Sequence, residues 1–181
     1  MPTYILDTTT FSDIACIKQS ENLVAWIAGN VGNCYISAMS VHELRFGSAR
    51  LSWKRSPEDR TRAERLSIVN SLLLFNFSDR IIVPGTAIMK RSGEMRAMAE
   101  ATYGDVGVVD SIIAASAETI HASVLTRNPK HFHALGINAL DSRIIAEAAA
   151  NVTALPTVSR PERRTGYTDQ NMPPKGVSEN E

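Results

Sequence analysis

Short apolar runs alternate with amphipathic stretches along the chain, and that alternation predicts the elements. Thr3 to Leu6 reads as a strand that ends at Asp7. Thr8 to Ile17 reads as a helix start, and Glu21 to Ala28 as a second helix with Leu23, Val24 and Ile27 on one face. Gly29 to Asn33 is a turn, and Cys34 to Ser37 is a second strand. Ser40 is an N-cap residue with Glu43 three positions on, which is capping-box spacing. The helix that follows carries Val41, Leu44, Phe46 and Leu51. Pro57 to Phe77 is a long helix, charged over Glu58 to Arg65 and apolar at Leu66, Val69, Leu72 and Leu73. Ile81 to Val83 is a strand closed by Pro84, and Thr86 to Tyr103 is a helix. After a loop over Gly104 to Gly107, Asp110 opens the apolar helix Ser111 to His121. Ser123 to Thr126 and Ile137 to Leu140 are strands, and Asp141 to Val152 is a last, Ala-rich helix.

Strands alternating with helices predict an α/β fold with a mainly parallel central sheet. In such sheets the site lies outside the carboxyl ends of the strands. From Pro156 to Glu181 large apolar residues become sparse, which predicts a disordered tail. There is no internal repeat and no Gly-rich phosphate loop.

Composition narrows the function classes. The chain has 181 residues, 44% of them hydrophobic, enough for one packed domain. Lys+Arg and Asp+Glu both number 19, so gripping nucleic acid by bulk charge is excluded, while a local basic patch is not. Cys16 and Cys34 form no CxxC pair and read as buried free thiols of a reducing cytosol. The start has no basic n-region or long apolar h-region, and no run is long enough to span a bilayer. The expectation is a cytoplasmic protein with no membrane partner.

Three acids fall where the sheet topology gathers them. Asp7 follows the first strand, Glu43 lies in the first turn of the helix after the second, and Asp110 opens a helix after a glycine loop. Alone, Asp110 has an equally good reading as an N-cap and Glu43 as half of a capping box. Asp7 has no obvious structural need. Together they are an oxygen-only ligand set without His or Cys, which suits Mg²⁺ or Mn²⁺. A divalent ion also relieves the repulsion among clustered carboxylates.

Tyr4-Ile5-Leu6-Asp7-Thr8-Thr9-Thr10-Phe11-Ser12 resembles the first motif of PIN-domain nucleases. Ile36 to Gly47, with Glu43, resembles the second. Val109 to Ala117, with Asp110, resembles the third, and Val124 to Phe132 followed by Leu135-Gly136-Ile137 resembles the fourth. Four motifs in order over Thr3 to Leu140 make the resemblance specific, and the VapC-type toxins of bacterial toxin–antitoxin pairs are the subgroup it is most similar to. The resemblance implies a three-layer α/β/α PIN-like fold over residues 1–142; beyond it the chain itself reads as an extra C-terminal helix over 143–155 and a tail over 156–181. The resemblance also implies metal-dependent hydrolysis of RNA, with tRNA or other structured RNA as substrate. A cognate antitoxin that blocks the pocket and a homodimer follow from it too. Catalytic and metal-binding roles fall on Asp7, Glu43 and Asp110, with support from Thr9, Thr126 and Asn128. Thr9 stands where Asn is common, and Asn128 where an acid is frequent, so one firmly held ion is expected. His131 stands where Asp is frequent and reads as a surface or phosphate-contacting residue rather than a ligand.

Arg45, Arg50, Lys54 and Arg55, with Arg127 and Lys130, read either as an RNA channel or as solvated charge. Asp105 reads as a turn former, Asp13 as a solvated charge, and Met89, Met95 and Met98 as core or dimer packing. Two other readings stay open: a PIN-domain nuclease of RNA processing, and an inactive PIN fold acting as a binding module. An aspartyl-phosphate phosphatase ranks low, because Asp7 is followed by Thr8-Thr9 instead of giving Asp-x-Asp.

Overall fold

The structure, a computed structural model, describes residues 2–15, 21–54 and 56–153. Its strands are β1 (Tyr4–Leu6), β2 (Cys34–Ser37), β3 (Ile81–Ile82), β4 (Ser123–Thr126) and β5 (Ala139–Asp141). They form one all-parallel sheet in the order β3-β2-β1-β4-β5. The helices are α1 (Thr8–Ala15), α2 (Glu21–Asn30), α3 (Ala38–Ser52), α4 (Pro57–Asn76), α5 (Thr86–Tyr103), α6 (Val108–Thr119), α7 (Pro129–Ala134) and α8 (Ser142–Thr153), with a 3-10 turn at Val31–Asn33.

β1 holds the centre. Leu6 stands in register with Ile36 on one side and Leu125 on the other. Side chains of a strand alternate between faces, so Ile5 and Val124 enter one core and Leu6, Ile36 and Leu125 the other. The first core is covered by α5, α6 and α7. Residues 111–117 of α6 are all buried, its alanines allowing close approach to the sheet. The second core takes Phe11, Leu23, Ile27 and Phe77, with Ile145 and Ala146 of α8 packed against it. Covering both faces explains the nearly continuous apolar strands and makes the fold three-layered, α/β/α.

Some boundaries depart from expectation. Helix α3 starts at Ala38, because Ser37 caps it by accepting the Met39 N–H at 3.2 Å. Ser40 lies inside the helix, buried, with no partner for its hydroxyl among the described residues. There is no capping box, and Glu43 sits in the second turn rather than the first. Val41 and Leu44 pack against the core while Phe46 is 57% exposed. Helix α6 starts at Val108 after Gly107, so Asp110 lies within its first turn and does not cap it. The six-residue α7 has no counterpart in the sequence reading; it is too short to show a period, and Pro129 at its start is its one signal. It displaces the last strand to Ala139–Asp141 and leaves Ile137 as a core residue.

Met95 is buried, whereas Met89 and Met98 are exposed. Cys34 is a buried free thiol, pushed up to about 11 by burial, with Arg80 pulling the other way. Such a thiol is unreactive. Cys16, Arg55 and the 156–181 tail lie outside the described residues, as does the side chain of Asp13. Among the described residues no helix is long and apolar enough to cross a membrane.

Candidate functional site

Asp7 is the joint between β1 and α1. Its N–H stays in the sheet, donating to the Leu125 carbonyl at 3.0 Å, while its own carbonyl accepts the Thr10 N–H that opens the helix at 3.0 Å. The carboxylate is thereby placed just beyond the strand ends, only 4% exposed. Its Oδ1 accepts the Thr8 N–H at 2.7 Å. Its Oδ2 accepts two hydroxyls, Thr9 and Thr126, each at 2.7 Å. Both threonine oxygens also accept backbone N–H groups, Thr9 from Arg127 at 3.0 Å and Thr126 from Asn128 at 3.1 Å. A hydroxyl that accepts from the backbone has its one proton left to donate, and each lies nearer to Asp7 Oδ2 than to the other hydroxyl, 3.2 Å away.

Glu43 reaches the same place from α3. Its Oε2 accepts the Thr8 hydroxyl at 2.6 Å. Thr8 therefore ties two acids together, Asp7 through its backbone and Glu43 through its side chain. Asp110 arrives from α6, with its Oδ2 3.0 Å from His131 Nδ1 on α7. Burial pushes the Asp110 carboxyl above its ordinary range; the His131 hydrogen bond opposes that, and the negative charge of Asp7 adds to it.

The three acids line one cleft of about 370 Å³, together with Asn128, Phe46 and Arg50. Among the described residues no group of three or more His, Cys, Asp and Glu side chains forms a metal cage by itself. The donors instead suit an ion that keeps its own waters. Mg²⁺ is held this way, by one or two carboxylates, with waters and phosphate oxygens completing its shell. Asp7, Asp110 and Glu43 are the residues able to hold it.

Of the other residues singled out in the sequence, Thr9 and Thr126 are on Asp7, while Asn128 and Arg50 are in the cleft wall. Arg45 is not. It extends across the α3–α4 groove towards the hydroxyls of Ser67 and Ser71, both at 3.5 Å, and lines a separate cavity of about 440 Å³. Arg127 serves through its backbone N–H, and Lys130 is exposed on α7 outside the cleft lining. Asp105 is exposed and faces Arg96 at 3.5 Å.

The sequence reading missed Thr8 and undervalued His131 and Phe46. Adjacency to Asp7 was the only signal for Thr8. For His131 the signal was its place one residue before a buried Phe132, which turns it out of the core.

Comparison with known proteins agrees with this architecture. The family model described as PIN domain matches residues 4–138. VapC ribonuclease Y4jK of Sinorhizobium fredii is 26% identical over 138 residues, covering 76% of this chain and 95% of that protein. The crystal structure of FitAcB from Neisseria gonorrhoeae is similar with a TM-score of 0.65 and 23% identity, over 77% of this chain and 98% of that one. DNA-bound VapBC from Salmonella typhimurium is similar with a TM-score of 0.61 and 24% identity, over 78% and 99%. The family model spans most of the chain, and Asp7, Glu43 and Asp110 meet in one cleft beyond the sheet; this chain belongs to the PIN domain family.

Proposed function

We propose that this protein is a divalent-metal-dependent endoribonuclease and the toxin of a toxin–antitoxin pair. The observation that carries the reading is Asp7: a buried carboxylate pinned by three donors, facing one cleft with Glu43 and Asp110. Burying an ionised acid is costly unless it is hydrogen-bonded or bound to metal, and orienting it so completely is what a metal ligand needs. Similarity to a VapC ribonuclease and to FitAcB and VapBC supports RNA as substrate and a cognate antitoxin as partner. The resemblance in sequence adds a homodimer.

Asp7, Asp110 and Glu43 hold Mg²⁺, or Mn²⁺ in its place. When bound, such an ion offsets charge on phosphoryl oxygens and lowers the pKa of water. Thr9 and Thr126 fix the direction of the Asp7 lone pairs, and Thr8 keeps Glu43 beside it. Arg50, in the cleft wall, neutralises a substrate phosphate. Asn128 brings a neutral oxygen where an acid would add charge, so one ion is held firmly.

The test is incubation of purified protein with total RNA. Cleavage is expected with Mg²⁺ or Mn²⁺, none with EDTA, and a loss of more than about a hundredfold in Asp7→Asn, with an unchanged circular dichroism spectrum. A folded wild-type protein that never cuts RNA but binds an antitoxin would make this a PIN-fold binding module instead.

A further inference from the structure

Phe46 stands out once the acids are accounted for. It is a large apolar side chain, 57% exposed, and it lines the acidic cleft with Asp7, Glu43 and Asp110. Met39, Val41 and Leu44 are the residues of its helix that pack against the cores, so packing does not need it. Its neighbours one turn away on either side are polar and planar. The His42 ring lies parallel to it, at 8° between planes and 6.4 Å between centroids, and the Arg50 guanidinium carbon lies 6.0 Å from its centroid. Gly47, beside it in the cleft wall, carries no side chain, and a Cβ there would meet nothing within 4 Å. The wall therefore sets an aromatic ring and an Arg side chain beside a residue that leaves the cleft open.

The geometry points to a nucleobase subsite: Phe46 stacks an unpaired base of the RNA while Arg50 takes an adjoining phosphate. The occupant follows from charge and shape. Three carboxylates and one divalent ion leave the cleft without a net positive charge, so uncharged contacts beside a local cation add to the affinity. A base has a π-face whatever its sequence, and aromatic stacking with Arg support is how single strands are held without sequence reading. Bases in a duplex are already stacked, so the subsite selects loops, bulges and ends. This rests on the ribonuclease reading above and extends it to the form of RNA taken.

The test uses the full chain carrying Asp7→Asn, to prevent cleavage, with Mg²⁺ present. Fluorescence anisotropy measures binding of a labelled single-stranded adenine 15-mer RNA and of the same ribose-phosphate chain without bases. Phe46→Ala is expected to weaken binding of the base-bearing strand by about tenfold and to leave the abasic strand unchanged. Phe46→Trp restores binding, whereas Phe46→Leu, apolar but without a ring, does not. Equal binding of the base-bearing strand by Phe46→Ala and its parent would overturn the subsite, as would full rescue by Leu. Equal weakening on both strands would also overturn it, since Phe46 would then act only by placing Arg50. If Phe46→Ala kept RNA binding but turned a dimer into a monomer in sedimentation, the ring would belong to an interface between copies, again overturning the subsite. A parent protein that binds neither strand would overturn the ribonuclease reading with it, whereas one that binds both strands and ignores residue 46 overturns the subsite alone.

Discussion

The two walls of the cleft hold their acids differently. On the β1–β4 wall, Asp7 is nearly sealed from water and fixed by the Thr8 N–H and by the hydroxyls of Thr9 and Thr126, which are themselves oriented by backbone N–H groups. On the α6–α7 wall, Asp110 is held by one side chain, His131, on a six-residue helix and 55% exposed. The first acid is placed by strand register and cannot shift unless the sheet does. The second is placed by a contact that water can compete for. One wall is a fixed reference, and the other has room to adjust to ion and substrate.

The largest effect expected from this contrast is on the fixed wall. Thr126→Val keeps shape and removes the hydroxyl, leaving Asp7 Oδ2 with one donor and the Asn128 N–H without its acceptor. RNA cleavage should fall by about a hundredfold and the unfolding free energy by about 1–3 kcal/mol in urea titration; Thr126→Ser should recover both. On the adjustable wall, His131→Ala should lower cleavage by about tenfold while stability stays within about 0.5 kcal/mol of the parent. Equal losses in the two variants would remove the distinction between the walls.

The smallest effect concerns protons. Burial holds the Asp110 carboxyl above its ordinary value, so the folded chain binds that proton more tightly than the unfolded one. The favourable contribution is complete below the unfolded value and is lost as pH rises through the folded one. With EDTA at neutral pH the ionised acid therefore weakens the fold. Asp110→Asn should raise Tm by a few degrees at most, and the gain should disappear as pH falls below the carboxylate range. A gain that persists in acid would assign the effect to something other than ionisation.

Asp7 was legible because an acid ending an apolar strand has few structural reasons to be there. Glu43 and Asp110 share the cleft with it, although their surroundings differ from expectation. Ser40 matched the capping-box spelling, yet Ser37 stood three residues earlier with the same side chain and a strand end behind it, and the helix began there. That shift turned Glu43 out of a cap and into the cleft. Phe46 stands among the apolar residues of its helix, but it is only two residues from Leu44, and neighbours at that spacing do not share a helical face. The roles of Thr8 and His131 were not readable, because each partner is 21 or more residues away and comes from another helix.

Sheet order also sets a clock on synthesis. Asp7 is made before Thr126, which holds it and follows 119 residues later, about ten seconds at ordinary ribosomal speed. β1 cannot take its central place until β4 is available to flank it. Until β4 is made the three acids are therefore loose chain rather than a centre. The messenger and ribosome producing the proposed ribonuclease face no assembled blade until β4 is in place.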